Sequence, residues 1–257
     1  MKLLDAHVHL TDSEFSGYIH HILNNLRALK IKTCSVTVDI ETSLAGLRLF
    51  DTSNRDVVVQ FIGIHPEFAK TEEITKFIEI FDKNSTIIDG IGEIGLDRSY
   101  VESKNICYER QKEIFCSMLA LAEKTKKPVS VHSRRSLDDI LEMFETYNLG
   151  NVLLHWFDGN SKQLTRAMDM GLYVSYGPPL VYSDLKRNLL MNTDKDKFLI
   201  ETDGPVKYPR CFKGLTSMPS SFLISVVKAC GEALNMSYQE TIDTLKSNSE
   251  SYLKAEL

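Results

Sequence analysis

The chain has little of what marks secreted or membrane-bound proteins. Its five cysteines are odd in number and show no CxxC spacing, so reduced thiols in a cytoplasmic protein are the simplest interpretation. No run of about eighteen apolar residues is present, and no basic segment followed by an apolar stretch opens the chain. We therefore expect a cytoplasmic protein with no membrane partner.

Excess positive charge, repeats and low-complexity tracts are missing as well. A net charge of −5 argues against a protein that coats nucleic acid, although basic loops or metal ions can still supply local attraction. The 257 residues, 43% of them hydrophobic, suffice for a large buried core. Because no boundary is visible, we expect one domain over residues 1–257.

Short β-branched runs alternate with longer amphipathic runs along the chain. They predict strands over residues 3–8, 32–38, 57–64, 86–96, 128–132, 151–155, 171–177 and 197–202. Helices are predicted over residues 17–29, 41–50, 71–81, 104–126, 136–147, 161–170, 182–191, 219–234 and 238–254. Every predicted strand is thus followed by a helix.

This alternation predicts an α/β fold, a (β/α)8 TIM barrel. Parallel strands need helical crossovers, and eight such repeats in about 250 residues are typical of a barrel. An open doubly wound sheet is the alternative. It would normally carry a glycine-rich phosphate loop after the first strand, and the segment DAHVHLTDSEFSG is not such a loop.

Two histidines separated by one residue stand at the end of the first predicted strand. Alternate residues of a strand share a face, so His7 and His9 project together while Leu4, Ala6 and Val8 face the other way. Such a pair can be two metal ligands or two polar side chains satisfied by hydrogen bonds. The pair by itself does not decide between them.

Further polar residues fall at the ends of the predicted strands, where the catalytic groups of a barrel lie. Five of the seven histidines and three carboxylates stand at this rim: His7, His9, His65, His132, His155, Glu93, Asp97 and Asp203. By the period of two, Asp5 and Glu201 share the inward face, and we assign them supporting roles. Such clustering predicts a functional site at the carboxyl ends of the strands.

Taken singly, these residues have structural explanations. His155 could be a hydrogen-bonded core histidine, Glu93 could accept backbone hydrogen bonds, and Asp203 could cap a loop. Taken together, four imidazoles and two carboxylates exceed the three protein ligands that a catalytic zinc commonly takes. We predict as metal ligands His7, His9, Glu93, His132, His155 and Asp203.

Six such ligands suit two divalent ions with one shared carboxylate. Mixed nitrogen and oxygen donors fit Zn²⁺, Mn²⁺ or Mg²⁺, and the sequence does not choose among them. A hydroxide activated by both ions can attack a phosphodiester, with Asp203 placed to take the proton and Glu93 as the second catalytic residue.

Six motifs, in order, resemble the TatD family of metal-dependent hydrolases, within the amidohydrolase barrel superfamily. They are DAHVHL, GIHPEFA, GIGEIGLDR, PVSVHSR, LLHWFDG and IETDGP, and the resemblance extends from Asp5 to Asn248. It implies a barrel with divalent-metal deoxyribonuclease activity, acting 3′→5′ as an exonuclease, with some activity on RNA.

The resemblance also implies how the ligands divide. His7, His9, Glu93 and Asp203 would hold one ion, and Glu93, His132 and His155 the second, so that Glu93 bridges. Two segments depart from the family: Trp156-Phe157-Asp158-Gly159 replaces a small residue followed by Phe-Ser-Gly, and Ser217-Met218-Pro219 replaces an Asn-Glu-Pro segment. Both departures concern substrate preference and leave the ligands intact.

We predict five substrate contacts: His65, Arg134, Trp156, Lys207 and Arg210. The first two lie on rim loops where a phosphate would sit, and Trp156 either stacks a terminal base or packs beneath a helix. The loop after the last strand mixes basic and aromatic residues, as single-strand binding requires, although it can also be a soluble lid. The expected partner is DNA, as single strands or 3′ ends.

Two other functions fit the same residues. The first is an acyl hydrolase of a small ester or amide, or of aminoacyl-tRNA, because an activated hydroxide also attacks a carbonyl carbon. The second is a metal-stabilised scaffold without activity. A degenerate scaffold would have lost ligands, and all six are present here.

Overall fold

A computed structural model of the chain describes residues 2–50 and 52–257. In these ranges eight parallel strands form one sheet in the order of the chain. The strands are β1 Leu3–Val8, β2 Ile31–Ser35, β3 Val58–Ile62, β4 Gly90–Asp97, β5 Val129–Arg134, β6 Val152–Leu154, β7 Tyr173–Tyr176 and β8 Phe198–Ile200. Together with the helices between them, they confirm the predicted (β/α)8 barrel.

Helices separate the strands. They are α1 Ile19–Leu29, α2 Ile40–Leu49, α3 Ile74–Asn84, α4 Ser99–Ser103, α5 Tyr108–Thr125, α6 Leu137–Phe144, α7 Ser161–Asp169, α8 Asp184–Met191, α9 Ser221–Leu234 and α10 Tyr238–Leu253. Capping boxes begin α2, α7 and α10, where Asp39, Asn160 and Ser237 accept hydrogen bonds from backbone N–H groups. No helix within the described ranges is long and apolar enough to cross a membrane.

The predicted helix over residues 104–126 was wrong at its beginning. Asn105 adopts a left-handed backbone conformation, and Cys107 precedes α5 in an extended one. The chain therefore forms the short α4 first and starts α5 only at Tyr108. Most predicted strands are also a few residues too long at their ends, because the apolar pattern continues into the loops that carry the site.

The barrel closes between β1 and the residues that follow β8. The backbone N–H of Asp203 donates to the carbonyl of His7 at 3.0 Å, and that of His9 donates to the carbonyl of Gly204 at 2.8 Å. The buried Asp5 carboxylate accepts from the N–H and the hydroxyl of Thr202, at 2.9 and 2.5 Å. Asp5 thus links β1 to the residues after β8 at the seam.

A small apolar cluster fills the interior of the barrel. Leu4, Phe61, Leu153 and Leu199 come from strands around the whole sheet and meet Tyr252 of α10. Side chains of β3, β6 and β8 could not meet in an open sheet, so the cluster independently favours closure. A larger cluster joins the outer faces of the strands to the helices.

The alternation predicted for β1, with Asp5 and the histidines inward and Leu4, Ala6 and Val8 on the other face, was wrong for Leu4 and Ala6. Leu4 and Ala6 belong to the small interior cluster, whereas Val8 packs in the larger one. The pairing with β2 shifts register between Asp5 and Val8, and such an irregularity changes which face the following residues occupy. The shift separates Val8 from Leu4 and Ala6 just where the two histidines enter the site.

Candidate metal centre

Glu93 of β4 lies at the middle of the predicted ligands. Its Oε2 atom is 3.4 Å from Nε2 of His7 and 3.5 Å from Nε2 of His9. Its Oε1 atom is 2.8 Å from Nε2 of His155 and 3.0 Å from Nδ1 of His132. The two oxygens therefore face two different groups of imidazoles, one from β1 and its loop, the other from β5 and the loops after β3 and β6.

Asp203 completes the first of these groups. Its Oδ1 atom is 3.4 Å from Nε2 of His9 and 3.8 Å from Nε2 of His7. The residue adopts a left-handed backbone conformation, with φ of 49°, directly after β8. A non-glycine residue in that conformation is held there by its surroundings, here the hydrogen bond between its N–H and the carbonyl of His7.

The donor set fits divalent ions. Nε2 of His7 is buried and has no hydrogen-bond partner among the described residues, although it faces two carboxylates. Its other ring nitrogen, Nδ1, lies 2.8 Å from the hydroxyl of Ser130, which fixes the ring. A buried imidazole nitrogen directed at carboxylates and lacking a partner is what a metal ligand looks like without its ion.

Asp97 lies behind the ligands. Its Oδ2 atom is 3.0 Å from Nε2 of His132, whose other nitrogen faces Glu93. Its Oδ1 atom accepts from the N–H and hydroxyl of Ser99. Carboxylates in this position orient metal-binding histidines and fix their tautomer. Asp97, which the sequence could only place at the rim, is therefore a positioning residue for His132.

Glu201 occupies a similar position beneath His155. Its fully buried carboxylate accepts from the hydroxyl of Ser175 at 2.5 Å and from the N–H of Trp156 at 2.8 Å. Its Oε1 atom lies 3.9 Å from Nδ1 of His155, a buried nitrogen that has no hydrogen-bond partner in the described part of the chain. Glu201 therefore supports the loop after β6 from below.

The pKa is lowered for some of these histidines and raised for others. Burial lowers the pKa of His7 to about 4 and that of His65 to about 3, so both rings are neutral. Against the same burial, Glu93 and Glu201 raise the pKa of His155 well above its ordinary value. Burial is likewise outweighed at Glu93, where the imidazoles of His65 and His155 hold the pKa well below its usual range.

His65, predicted as a substrate contact, lies as close to Glu93 as some of the predicted ligands do. Nε2 of His65 is 3.4 Å from Oε1 of Glu93, and its ring lies edge-on to that of His132. These three residues place ligand atoms close enough together to hold an ion. The Nδ1 atom of His65, however, accepts from the N–H of Glu67 at 3.3 Å, so the proton of the neutral ring belongs on Nε2.

A cavity of about 940 Å³ opens above the centre. Besides His9, His132, His155, Glu93 and Asp203, it is lined by four of the five predicted substrate contacts, His65, Arg134, Trp156 and Lys207. The Trp156 ring stacks on the buried Tyr208 ring with centroids 5.3 Å apart, so it both packs and lines the cavity. Arg210 does not line it and instead stacks over Tyr182.

Sequence reasoning missed several residues around this cavity. Thr37 accepts the N–H of Glu93 with its backbone carbonyl at 2.8 Å and so positions the central carboxylate. Glu67 and Tyr100 line the wall beside His65, and the Tyr100 hydroxyl donates to Glu67 at 3.3 Å. The motif GIHPEF contains Glu67, but its contact with Tyr100 depends on α4, which the sequence did not predict.

The fold and this cluster define the class of protein: a barrel hydrolase that depends on a metal. Residues 4–254 match the family model of the TatD related DNases, so the chain belongs to that family. The resemblance inferred from the six motifs is thereby confirmed.

Similar proteins and a similar crystal structure are consistent with membership of this family. The chain is 26% identical over 255 residues to YabD of Bacillus subtilis, an uncharacterized metal-dependent hydrolase, which covers 96% of this chain and 97% of the relative. It is 24% identical over 258 residues to the human deoxyribonuclease TATDN3, which covers 96% and 92%. The crystal structure of YJJV, a TatD homolog from Escherichia coli K12, superposes with a TM-score of 0.88 at 21% identity over 98% of each chain, and shares the fold.

Proposed function

We propose that this hydrolase cleaves phosphodiester bonds with two divalent ions, as a 3′→5′ exonuclease acting on single-stranded DNA. The observation that carries the proposal is Glu93, whose two oxygens face separate histidine groups. One carboxylate shared in this way suits two ions a few ångströms apart, as in enzymes that displace an oxygen at phosphorus. Human TATDN3, named a deoxyribonuclease, supports the choice of substrate.

The ligands divide into two groups around Glu93. His7, His9 and Asp203 would hold one ion with Oε2, and His132 and His155 would hold the other with Oε1. When bound, the ions would lower the pKa of a water molecule and neutralise charge on the phosphoryl oxygens. Mg²⁺, Mn²⁺ and Zn²⁺ all accept such mixed ligands.

Side chains of the protein supply the proton acceptor and the substrate contacts. Asp203 lines the cavity and can take the proton of the attacking water, since a carboxylate needs only hydrogen-bond reach for this. The neutral His65 ring lines the cavity, and its Nε2–H lies beside Oε1 of Glu93, where it can donate to that carboxylate or to a phosphate oxygen bound next to it. Arg134 lines the same cavity, and its planar guanidinium suits two oxygens of one phosphate. Trp156 is placed to stack a terminal base.

The test is digestion of single-stranded oligonucleotides labelled at the 3′ or the 5′ end. Protein stripped with a chelator would be assayed with Mg²⁺, Mn²⁺ or Zn²⁺ added back, and we expect metal-dependent shortening from the 3′ end. Glu93→Ala should lose more activity than the about 10- to 100-fold that removal of a residue supporting a ligand costs, with an unchanged circular dichroism spectrum. Retained turnover by the metal-replete variant would contradict the bridging role.

The acyl hydrolase remains the second candidate, because four carboxylates outside the ligands line the cavity: Asp12, Glu14, Glu67 and Asp158. Three of them pair with lysines, which leaves Asp12 to bind a cationic amine. Protein that binds two ions yet cleaves no oligonucleotide, but deacylates aminoacyl-tRNA, would establish this function instead. The cytoplasmic location favoured by the unpaired cysteines stays a prediction.

A further inference from the structure

The cavity lining has fewer basic side chains free to bind phosphate than the sequence predicts. Outside the ligands, only Arg134 and Lys207 among the described basic residues line it, against the four carboxylates named above. Lys207 is not available, because its Nζ atom is 2.8 Å from Oε1 of Glu14. The same carboxylate accepts the hydroxyl of Thr216 at 2.9 Å, which ties the loop after β8 to the loop after β1.

A second lysine, which does not itself line the cavity, is bound in the same way by a carboxylate that does. Nζ of Lys104 forms an ion pair with Glu67, whose other oxygen accepts the Tyr100 hydroxyl. Lys104 and Lys207 keep 44% and 52% of their side-chain surface exposed, so both could reach a ligand if their partners released them. Lys207 of the cavity lining and Lys104 beside it are therefore each held by a carboxylate that lines the cavity.

Arg134 differs from these lysines. Its guanidinium makes no hydrogen bond or ion pair with any residue in the described ranges, and it lines the cavity. With two divalent ions bound, the centre would carry positive charge, since Glu93 and Asp203 contribute only two negative charges. Attraction for phosphate is thus confined to the centre and to Arg134, while the surrounding rim is neutral or acidic.

We infer that Glu14 and Glu67 are specificity-determining residues that restrict the substrate to a strand end held by two phosphates. The inference rests on the proposed nuclease function. Proteins that track single strands use a continuous basic groove of about 4–16 nucleotides, and here the lysines that could form one are occupied. The carboxylates compete with the phosphates of any longer segment of the strand and repel them.

Salt dependence tests the inference, because single-strand binding weakens with a log–log slope of about −0.7 for each phosphate neutralised. We would measure kcat/KM of the metal-loaded enzyme on a trinucleotide and a dodecanucleotide at 50 and 200 mM KCl. For two phosphates the slope predicts a decrease of about 7-fold over this range. The two substrates should differ by no more than about twofold, since bases beyond the end make no contact.

Removing the carboxylate partners of the two lysines should change both the salt dependence and the preference between the two substrates. In the double variant Glu14→Gln/Glu67→Gln, two further phosphates can bind, so the decrease with salt should grow to about 50-fold and the dodecanucleotide should become the better substrate. The matched control is Glu145→Gln, which frees Arg166 from an exposed ion pair of 2.7 Å remote from the cavity lining. The control should behave as the wild type does.

Two results would overturn the inference while leaving the nuclease function intact. One is a wild-type enzyme that already prefers the dodecanucleotide tenfold or loses about 50-fold with salt, which would mean four or more phosphate contacts. The other is a double variant indistinguishable from Glu145→Gln. If the wild type cleaves neither oligonucleotide with any metal, the proposed function itself fails.

Discussion

Three of the predicted ligands have a second contact that holds them in place. Ser130 holds the ring of His7, Asp97 that of His132, and Thr37 the backbone of Glu93. Such contacts decide whether an imidazole presents a lone pair or a proton to an ion. The sequence could collect the candidate ligands, Asp203 but not Asp97 among them, because strand ends of a barrel meet at one rim. It could not show how the two carboxylates differ: Asp97 contacts His132 from behind, whereas Asp203 faces His7 and His9.

Asp97→Asn tests this difference at the scale of one residue. An amide has the same shape but can no longer carry the charge that holds the Nε2–H of His132, so affinity for the second ion should fall about 10- to 100-fold. Titration of chelator-stripped protein with Zn²⁺, followed by calorimetry, should show one weakened site and one unchanged site.

The control is Asp56→Asn, which removes a surface partner of Arg27 and should leave both affinities unchanged. If Asp97→Asn weakened both sites equally, or neither, Asp97 would not be acting through His132.

At the scale of elements, the carboxyl ends of the strands and the loops that follow them carry the centre, and α10 closes the opposite end. Tyr252 of α10 is fully buried, packs near Phe61 and donates its hydroxyl to the carbonyl of Val129 at 3.0 Å. The periodicity of the last helix was sufficient to predict α10. That its aromatic residue enters the interior of the barrel was not predictable, because the contact joins residues more than a hundred positions apart.

Substitution of Tyr252 should therefore lower the free energy of unfolding more than it lowers catalytic activity. Tyr252→Phe leaves a buried carbonyl without its donor, which costs about 1–3 kcal/mol, whereas Tyr252→Ala also opens a cavity and costs about 3–5 kcal/mol. Urea unfolding of the metal-loaded protein measures both free energies. Equal losses for the two variants would show that the ring contributes nothing beyond its hydroxyl.

At the scale of the whole molecule, the histidine cluster couples metal binding to pH. Although burial opposes it, Asp203 and Glu93 raise the pKa of His9, and Asp97 and Glu93 raise that of His132. Without ions these rings and His155 hold protons at a pH where a free imidazole is neutral. An ion needs the unprotonated ring, so binding must displace those protons.

Metal affinity should therefore fall as the pH is lowered toward about 6, and the fall should begin above the ordinary imidazole pKa of about 6.5, because the pKa values of these rings are raised. Calorimetry in two buffers of different ionisation enthalpy gives the number of protons released, which should increase toward the lower pH. Removal of the ions with a chelator should also lower the melting temperature, since a ligand that binds only the folded state stabilises it. Affinity independent of pH, with no proton released, would contradict this coupling.

The sequence by itself determined the barrel and the candidate ligands of this protein. Alternating strand and helix patterns leave few topologies, and a parallel closed sheet brings every strand end to one rim, so residues as distant as His7 and Asp203 could be placed together. Only the tertiary structure decided what surrounds them. The pairing of Lys207 with Glu14, the stacking of Trp156 on Tyr208 and the absence of Arg210 from the described cavity lining depend on loop conformations. Loops have no repeating pattern, and their contacts form between residues far apart in the chain.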